Sequence, residues 1–158
     1  KDNKESQIYN NYVLRDSLKF SSDNKYFVYA ASHNKEHFLV LNGKKYRQDV
    51  TESGFLYGSI VFSPNNKYLT FAIDNNNRES VYVNQVPGKK YDSIGLYIID
   101  QKLRKDNINF LDNNTFFYYA VKDNRLYRVQ EKIINVKEGE SKWITNLFFT
   151  LKMLVKYI

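Results

Sequence analysis

The chain has 158 residues, of which 42% are hydrophobic and 16% aromatic, and its formal net charge is +7. This length and apolar content suit one folded domain and argue against disorder. The chain contains no cysteine, which excludes disulfides and thiolate metal sites. No apolar run reaches the ~18 residues that a membrane-spanning helix needs, so no membrane span is predicted.

The side-chain composition favours strands. There are 14 Tyr and 11 Phe but only two Pro, and aromatic residues are enriched in sheets that pack on both faces. The positive charge permits an acidic partner, although scattered lysines are equally typical of a soluble surface. Nucleic-acid binding is not predicted, because the aromatic residues alternate with apolar strand positions instead of lying beside the basic ones.

In chain order, the first predicted element is a stray outer strand within residues 7–14. A repeated phrase then occurs three times, as FSSDNKYFVYA (20–30), FSPNNKYLTFA (62–72) and FLDNNTFFYYA (110–120). The copies lie between forty and fifty residues apart, an interval typical of stacked supersecondary units. We therefore expect a repeat domain over residues 1–140, with units at about 14–50, 56–94 and 105–136.

Each copy reads as a strand, a polar turn and a second strand. The turn pairs are Asp23-Asn24, Asn65-Asn66 and Asn113-Asn114, residue types that tolerate the left-handed backbone of hairpin turns. In the second strand, alternation predicts one face that carries Phe27 and Tyr29, Leu69 and Phe71, and Phe117 and Tyr119. Both faces of this strand are largely apolar, which predicts sheets sandwiched between neighbouring sheets.

Two further strands complete each unit. The third strand is HFLVLN, SVYVNQ or RLYRVQ, and the fourth begins in GKKYRQDV, GKKYDSI or the weaker EKIINV. Four short strands at this period are typical of a propeller blade. The predicted fold class is all-β, with three four-stranded antiparallel propeller-type blades and a C-terminal helical tail.

The phrase at 62–72 and the GKKYDSI that follows at 88–94 resemble the repeat of TolB-like β-propellers. This resemblance implies a bacterial, periplasmic or otherwise extracytoplasmic protein, and similar blades occur in propeller domains attached to prolyl-oligopeptidase-type enzymes. Three blades do not close a ring. The stack could be completed by a remainder of a longer protein, by a second copy that forms a homodimer, or by flanking segments acting as caps.

The C-terminal segment 141–158 breaks the repeat and is predicted to be an amphipathic helix, although strand alternation also fits it. It is expected to cap the last unit. Its apolar stripe consists of Ile144, Leu147, Phe148, Leu151, Leu154, Val155 and Ile158.

The candidate binding surface is a repeated tripeptide. Equivalent positions of stacked blades lie side by side, so these residues predict one basic rim that binds an acidic protein segment or another anionic ligand. The alternative is that the lysines are solvated turn residues and the tyrosines pack against the strands. The basic rim consists of Lys44, Lys45, Tyr46, Lys89, Lys90 and Tyr91.

No catalytic residue, metal site or cofactor is predicted. His33 and His37 lie four apart on a hairpin, a spacing that does not place both on one face, and the loop 72–80 lacks the glycine and terminal glutamate of a calcium loop. No nucleophile elbow or phosphate-binding glycine loop occurs. The sequence therefore predicts a non-catalytic interaction scaffold. The alternatives are an accessory propeller domain of a larger peptidase or hydrolase and a self-assembling structural protein.

Overall fold

A computed structural model describes residues 12–13, 17–34, 36–50, 54–56, 58–95, 108–135 and 141–146. Within these ranges the chain forms strands and no helix, and all strand pairs are antiparallel. The first sheet contains β1 (Tyr12–Val13), β2 (Lys19–Phe20), β3 (Phe27–His33), β4 (Glu36–Leu41) and β5 (Lys44–Val50). The second contains β6 (Val61–Phe62), β7 (Leu69–Asp74), β8 (Glu79–Val83) and β9 (Val86–Tyr91). The third contains β10 (Ser93–Ile94), β11 (Ile108–Phe110), β12 (Thr115–Lys122), β13 (Arg125–Asn135) and β14 (Ser141–Asn146).

Each sheet has four strand positions, and the first position is interrupted. Both β1 and β2 pair with β3, and both β10 and β11 pair with β12. In the second sheet, a bridge from Phe55 to Ile73 and the strand β6 share the edge of β7. This confirms the prediction of an all-β fold with three four-stranded antiparallel sheets.

A serine side chain fills the interruption in the first two sheets. The backbone N–H of Ala30 donates to the Ser17 hydroxyl, and that of Ala72 donates to the Ser59 hydroxyl, at 3.0 Å in both cases. All four residues are buried. The hydroxyl thus satisfies a buried backbone donor at the point where the neighbouring strand is broken.

The predicted turns are confirmed in the first two units. Asn24 and Asn66 adopt positive φ angles of 56° and 59°. In the second unit, the Ser63 hydroxyl accepts the backbone N–H of Tyr68 at 3.0 Å and lies 2.8 Å from Oδ1 of Asn65. The polar residues of the repeated phrase therefore close the turn by local hydrogen bonds.

The third turn is one residue shorter. Phe20 pairs with Phe27 and Phe62 with Leu69, whereas Phe110 pairs with Phe116. A change of one residue moves every following side chain to the other face of the sheet. The prediction that Phe117 and Tyr119 are the counterparts of Leu69 and Phe71 is therefore wrong, and Phe116 and Tyr118 hold those positions.

The second sheet lies between the other two and is covered on both faces. One face packs against the first sheet through an aromatic cluster in which the Phe71 and Tyr82 rings stack at 5.4 Å. The opposite face packs against the third sheet, where the rings of Tyr91 and Tyr118 meet edge to face at 5.9 Å. This confirms the prediction of a sheet sandwiched between neighbours and makes the three sheets one packed body.

The end of the third sheet differs from the prediction. The segment EKIINV does not start a fourth strand, because it is part of β13, which runs to Asn135. The fourth strand is β14, whose backbone pairs with Gln130–Asn135. The helix prediction is therefore wrong for residues 141–146, since ladder hydrogen bonds to β13 favour the strand; residues 147–158 lie outside the described part.

Among the residues that the structure describes, no helix is long and apolar enough to cross a membrane.

Candidate functional site

A groove with a volume of about 470 Å³ lies where the first strand positions of the three sheets meet. Every sheet contributes to it, through β2, through β6 with the turn that follows, and through β11. The described lining residues are Lys19, Phe20, Ser22, Ile60, Val61, Phe62, Ser63, Pro64, Asn66, Ile108, Asn109 and Phe110. This volume is within the range of ordinary ligand sites, roughly 300–1,000 Å³.

The repeat architecture explains why these residues converge. Phe20, Phe62 and Phe110 each end the first strand position of their sheet, immediately before the turn. One position earlier lie Lys19, Val61 and Asn109. The three units thus offer the same two positions to one concavity, and the side-chain types differ only at the earlier one.

A contact between turns fixes one wall of the groove. The backbone N–H of Ser22 donates to Oδ1 of Asn66 at 3.2 Å, and Nδ2 of Asn66 donates to the Ser22 hydroxyl at 3.0 Å. These residues belong to the first and second turns, which are 44 residues apart in the chain. The Asn66 amide therefore holds two units together at the mouth of the groove.

The described lining of the groove carries a positive charge. Of its described lining residues, only Lys19 is ionisable, and this side chain is half-buried. No carboxylate within the described ranges forms an ion pair with Lys19. The nearby acidic residue Asp23 instead contacts Lys25 at 3.5 Å, and a hydrogen bond from Ser21 lowers the pKa of its carboxyl.

Exposed apolar side chains occur in the lining of the groove and next to it in sequence. Phe20 is 61% exposed, and Leu18 and Leu111, which adjoin lining residues in sequence, are each 51% exposed. Tyr26 is 40% exposed, and its ring lies 6.5 Å from that of Phe62. Clustered exposed apolar residues mark interaction sites more often than scattered ones do.

The structure places the predicted basic rim on the fourth strands of the first two sheets. Lys44 and Lys45 follow the first hairpin turn directly, opposite Leu41 and Val40, whereas Lys90 lies opposite Ser80, far from the corresponding turn. The two tripeptides therefore occupy different levels of their sheets, although all four lysines are exposed.

The aromatic members of the rim contact the protein interior. Tyr91 is only 4% exposed and belongs to the core between the second and third sheets. Tyr46 is half-buried and packs against the core between the first and second sheets. Among the lysines, Lys45 lies over the Phe38 ring at 4.4 Å from its centroid.

The two histidines do not form a site. His33 pairs with Glu36, and His37 pairs with Ser32, the neighbour of His33. Successive strand residues point to opposite faces, so the two imidazoles lie on opposite sides of the first sheet. Within the described ranges, no three His, Asp or Glu residues are close enough to hold a metal ion.

Sequence reasoning missed an acidic contact at the junction of the second and third sheets. Glu79 faces Asp74 across the hairpin, and its carboxylate accepts the backbone N–H of Ile94 in β10. Burial raises the pKa of Glu79 to about 7; the bond from Ile94 opposes this effect, and the charge of Asp74 adds to it. The hairpin register of AIDNNNRES is the signal that could have revealed the facing carboxylates.

A second missed group is a fully buried polar pair in the third sheet. The Tyr118 hydroxyl donates to Oε1 of Glu131 at 2.9 Å, and burial, followed by the charge of Glu131, raises the pKa of Tyr118 well above its usual value. Glu131 takes the position of Asn42 and Asn84, whose side chains accept the backbone N–H of Phe27 and Leu69. The equivalence of Asn42, Asn84 and Glu131 can be recognised only when the third turn is known to be one residue shorter.

No family model matches the chain, and no match is found among curated proteins. The class of the protein therefore follows from the geometry of the described residues: an all-β protein of three packed antiparallel sheets with a groove at their first strands.

Proposed function

We propose that the protein is a non-catalytic interaction scaffold of the propeller type, which binds a partner in the groove between its three sheets. The observation that carries this proposal is the convergence of the three units on one concavity, whose lining includes the exposed ring of Phe20. The TolB-like resemblance and an extracytoplasmic location belong to the same proposal. The repeated packing of one sheet on the next supports the propeller class.

The hydrogen bonds at the groove favour binding over chemistry. The Ser63 hydroxyl is held by Tyr68 and Asn65, and the Ser22 hydroxyl is held by Asn66. Each hydroxyl thus stabilises a turn, and neither is next to a basic group that would activate it as a nucleophile in the contacts described here.

The packing behind the groove provides a rigid platform. Ile60 and Ile108, which form its floor, are 3% and 1% exposed and belong to the two intersheet cores. Sites supported by packed strands hold their geometry better than sites on loops. A partner would therefore meet a preformed surface and lose little free energy to ordering it.

Peptide-display selection on the immobilised chain tests the proposal. Asn109 is exposed and lines the groove, so Asn109→Trp fills the site without changing the charge. Asn113→Trp is the matched control, because Asn113 is exposed on the turn of the same unit. We expect selected peptides to lose binding to the Asn109→Trp variant alone.

Peptides that bind wild type and Asn109→Trp equally would contradict a groove site. A variant with all four lysines of the basic rim replaced by Glu then tests that rim as the binding surface. Loss of peptide binding in this variant would assign recognition to Lys44, Lys45, Lys89 and Lys90. If selection yields no peptide that depends on either surface, the scaffold proposal fails.

A second candidate function is self-association, favoured by the repetition of the intersheet contact. Phe62 packs against the first sheet and Phe110 against the second, whereas their counterpart Phe20 has no preceding sheet among the described residues. The third sheet of a second copy offers the matching face, with Phe117 and Tyr119 half-buried on it. Light scattering would then give a mass near twice 18.8 kDa, and a monomer throughout a concentration series would contradict this candidate.

A further inference from the structure

We propose that the groove recognises an extended peptide segment in which a carboxylate side chain lies next to aromatic ones. This inference rests on the proposed function and adds the chemistry of the ligand. Three observations support it: the charge of Lys19, the aromatic positions shared by the three units, and the apolar surface beyond the groove.

The positive charge of Lys19 favours an anionic ligand. Lys19 is half-buried in the wall of the groove and pairs with no carboxylate within the described ranges. A carboxylate that meets a half-buried lysine is less screened by water than one that meets a fully exposed lysine, because the local dielectric constant is lower. The net charge of +7 further favours the approach of an acidic segment.

The phenylalanines that line the groove favour a ligand with aromatic side chains. Phe20 is 61% exposed, and its ring centroid lies 6.4 Å from that of Phe27; Phe110 lies 5.5 Å from Phe116. Each of these two phenylalanines thus packs against a ring of its own sheet, and part of the Phe20 ring remains accessible to a ligand. Aromatic pairs are more stable than area burial alone predicts, so these positions favour a ligand ring.

Exposed apolar residues outside the groove lining favour a peptide over a small molecule. Leu18 and Leu111, which adjoin lining residues in sequence, are exposed, and the exposed Tyr26 has its ring 6.5 Å from that of the lining residue Phe62. An extended peptide places successive side chains on opposite sides, so it can offer a carboxylate to Lys19 and rings to the flanking surface.

Two probe peptides test this assignment on the full chain. In acetyl-Gly-Phe-Asp-Phe-Gly-amide the carboxylate is present, and in the Asn counterpart it is replaced by an amide of the same shape. Titrations followed by amide resonances of the groove give both affinities. We expect the Asp peptide to bind about threefold to tenfold more tightly than the Asn peptide, and less so at high salt.

Two variants separate charge from apolar contact. Lys19→Gln should remove the preference for the Asp peptide, while Lys67→Gln, a matched change of an exposed lysine outside the groove, should preserve it. Phe20→Ser should weaken both peptides. Because Phe20 is largely exposed, this variant is expected to remain folded, which circular dichroism verifies.

Equal affinity for the two peptides, or a preference that survives Lys19→Gln, would overturn the inference while leaving a groove scaffold intact. Binding of laurate without binding of either peptide would also overturn it, by assigning the groove to fatty acids. If neither peptide perturbs groove resonances at millimolar concentration, the inference is wrong, and the display selection with Asn109→Trp decides the proposed function separately.

Discussion

Neutralising Glu79 should change how the stability of the protein depends on pH. The pKa of this carboxyl is raised from its ordinary value of 4.5 to about 7 by burial first and by Asp74 second. Between these two values the folded chain binds more protons than the unfolded chain. The free energy of unfolding therefore falls as pH rises from about 4.5 to about 7, and it stays reduced above that pH.

The size of the effect follows from the two pKa values. Their difference corresponds to ~3.4 kcal/mol if the whole of it is retained. Glu79 is only half-buried, so solvent screening reduces the expected loss to about 1–2 kcal/mol between pH 5 and pH 8. In Glu79→Gln, the amide oxygen can still accept the N–H of Ile94, but no charge forms opposite Asp74.

Urea unfolding followed by far-ultraviolet circular dichroism at pH 5, 6, 7 and 8 measures the difference. Relative to wild type, Glu79→Gln should be about 1–2 kcal/mol more stable at pH 8 and nearly equal at pH 5. Glu36→Gln is the control, because Glu36 begins β4 as Glu79 begins β8 but is exposed. Parallel pH profiles for wild type and Glu79→Gln would refute the reasoning.

Two further predictions concern the cores between the sheets. Tyr118→Phe removes the donor to the buried carboxylate of Glu131 and should lower the free energy of unfolding by about 1–3 kcal/mol. The control variant Tyr119→Phe, on the outer face of the third sheet, should lower it by less. Equal losses of stability in urea titrations of the two variants would contradict the role of the buried hydrogen bond. Phe71→Ala should cost about 3–5 kcal/mol, because the fully buried ring contacts the first sheet, and Phe20→Ala should cost well under that. Thermal unfolding of both variants checks this order, and similar midpoints for the two variants would contradict it.

The repeated phrase was sufficient to predict the three sheets and the turns of the first two units. Its alternating apolar residues specify strands, and Asn24 and Asn66 adopt the left-handed conformation that the turn requires. Each effect is local, so it can be inferred from a few neighbouring residues. The burial of both faces of the second sheet follows from the same pattern.

The shortened third turn could not be read in the same way. FLDNNTFFYYA aligns with the other copies without a gap, yet Oδ1 of Asp112 accepts the N–H groups of both Asn114 and Thr115 at 2.7 Å and closes the turn earlier. Asp112 replaces Pro64 in this alignment and supplies an acceptor that proline lacks. With the turn closed one residue earlier, every residue in β12 lies on the opposite face from its aligned counterpart.

The groove was not predicted because its residues are separated by the full length of a repeat. Lys19, Val61 and Asn109 occupy equivalent positions of the three units but differ in type, so a comparison of the repeats does not single them out. The tripeptides of the basic rim do match each other, but the hairpin turns of their sheets lie at different distances from them. Sequence identity between units thus indicates equivalent strands more reliably than equivalent surfaces.

The position of the second sheet also has a consequence for unfolding. Because its two faces form the cores with both neighbours, separation of either outer sheet exposes a large apolar surface on the middle one. In linear arrays, stability depends on such nearest-neighbour contacts as well as on each unit alone. The three repeats are therefore expected to lose their structure together, as a single cooperative unit, instead of opening one after another from the ends.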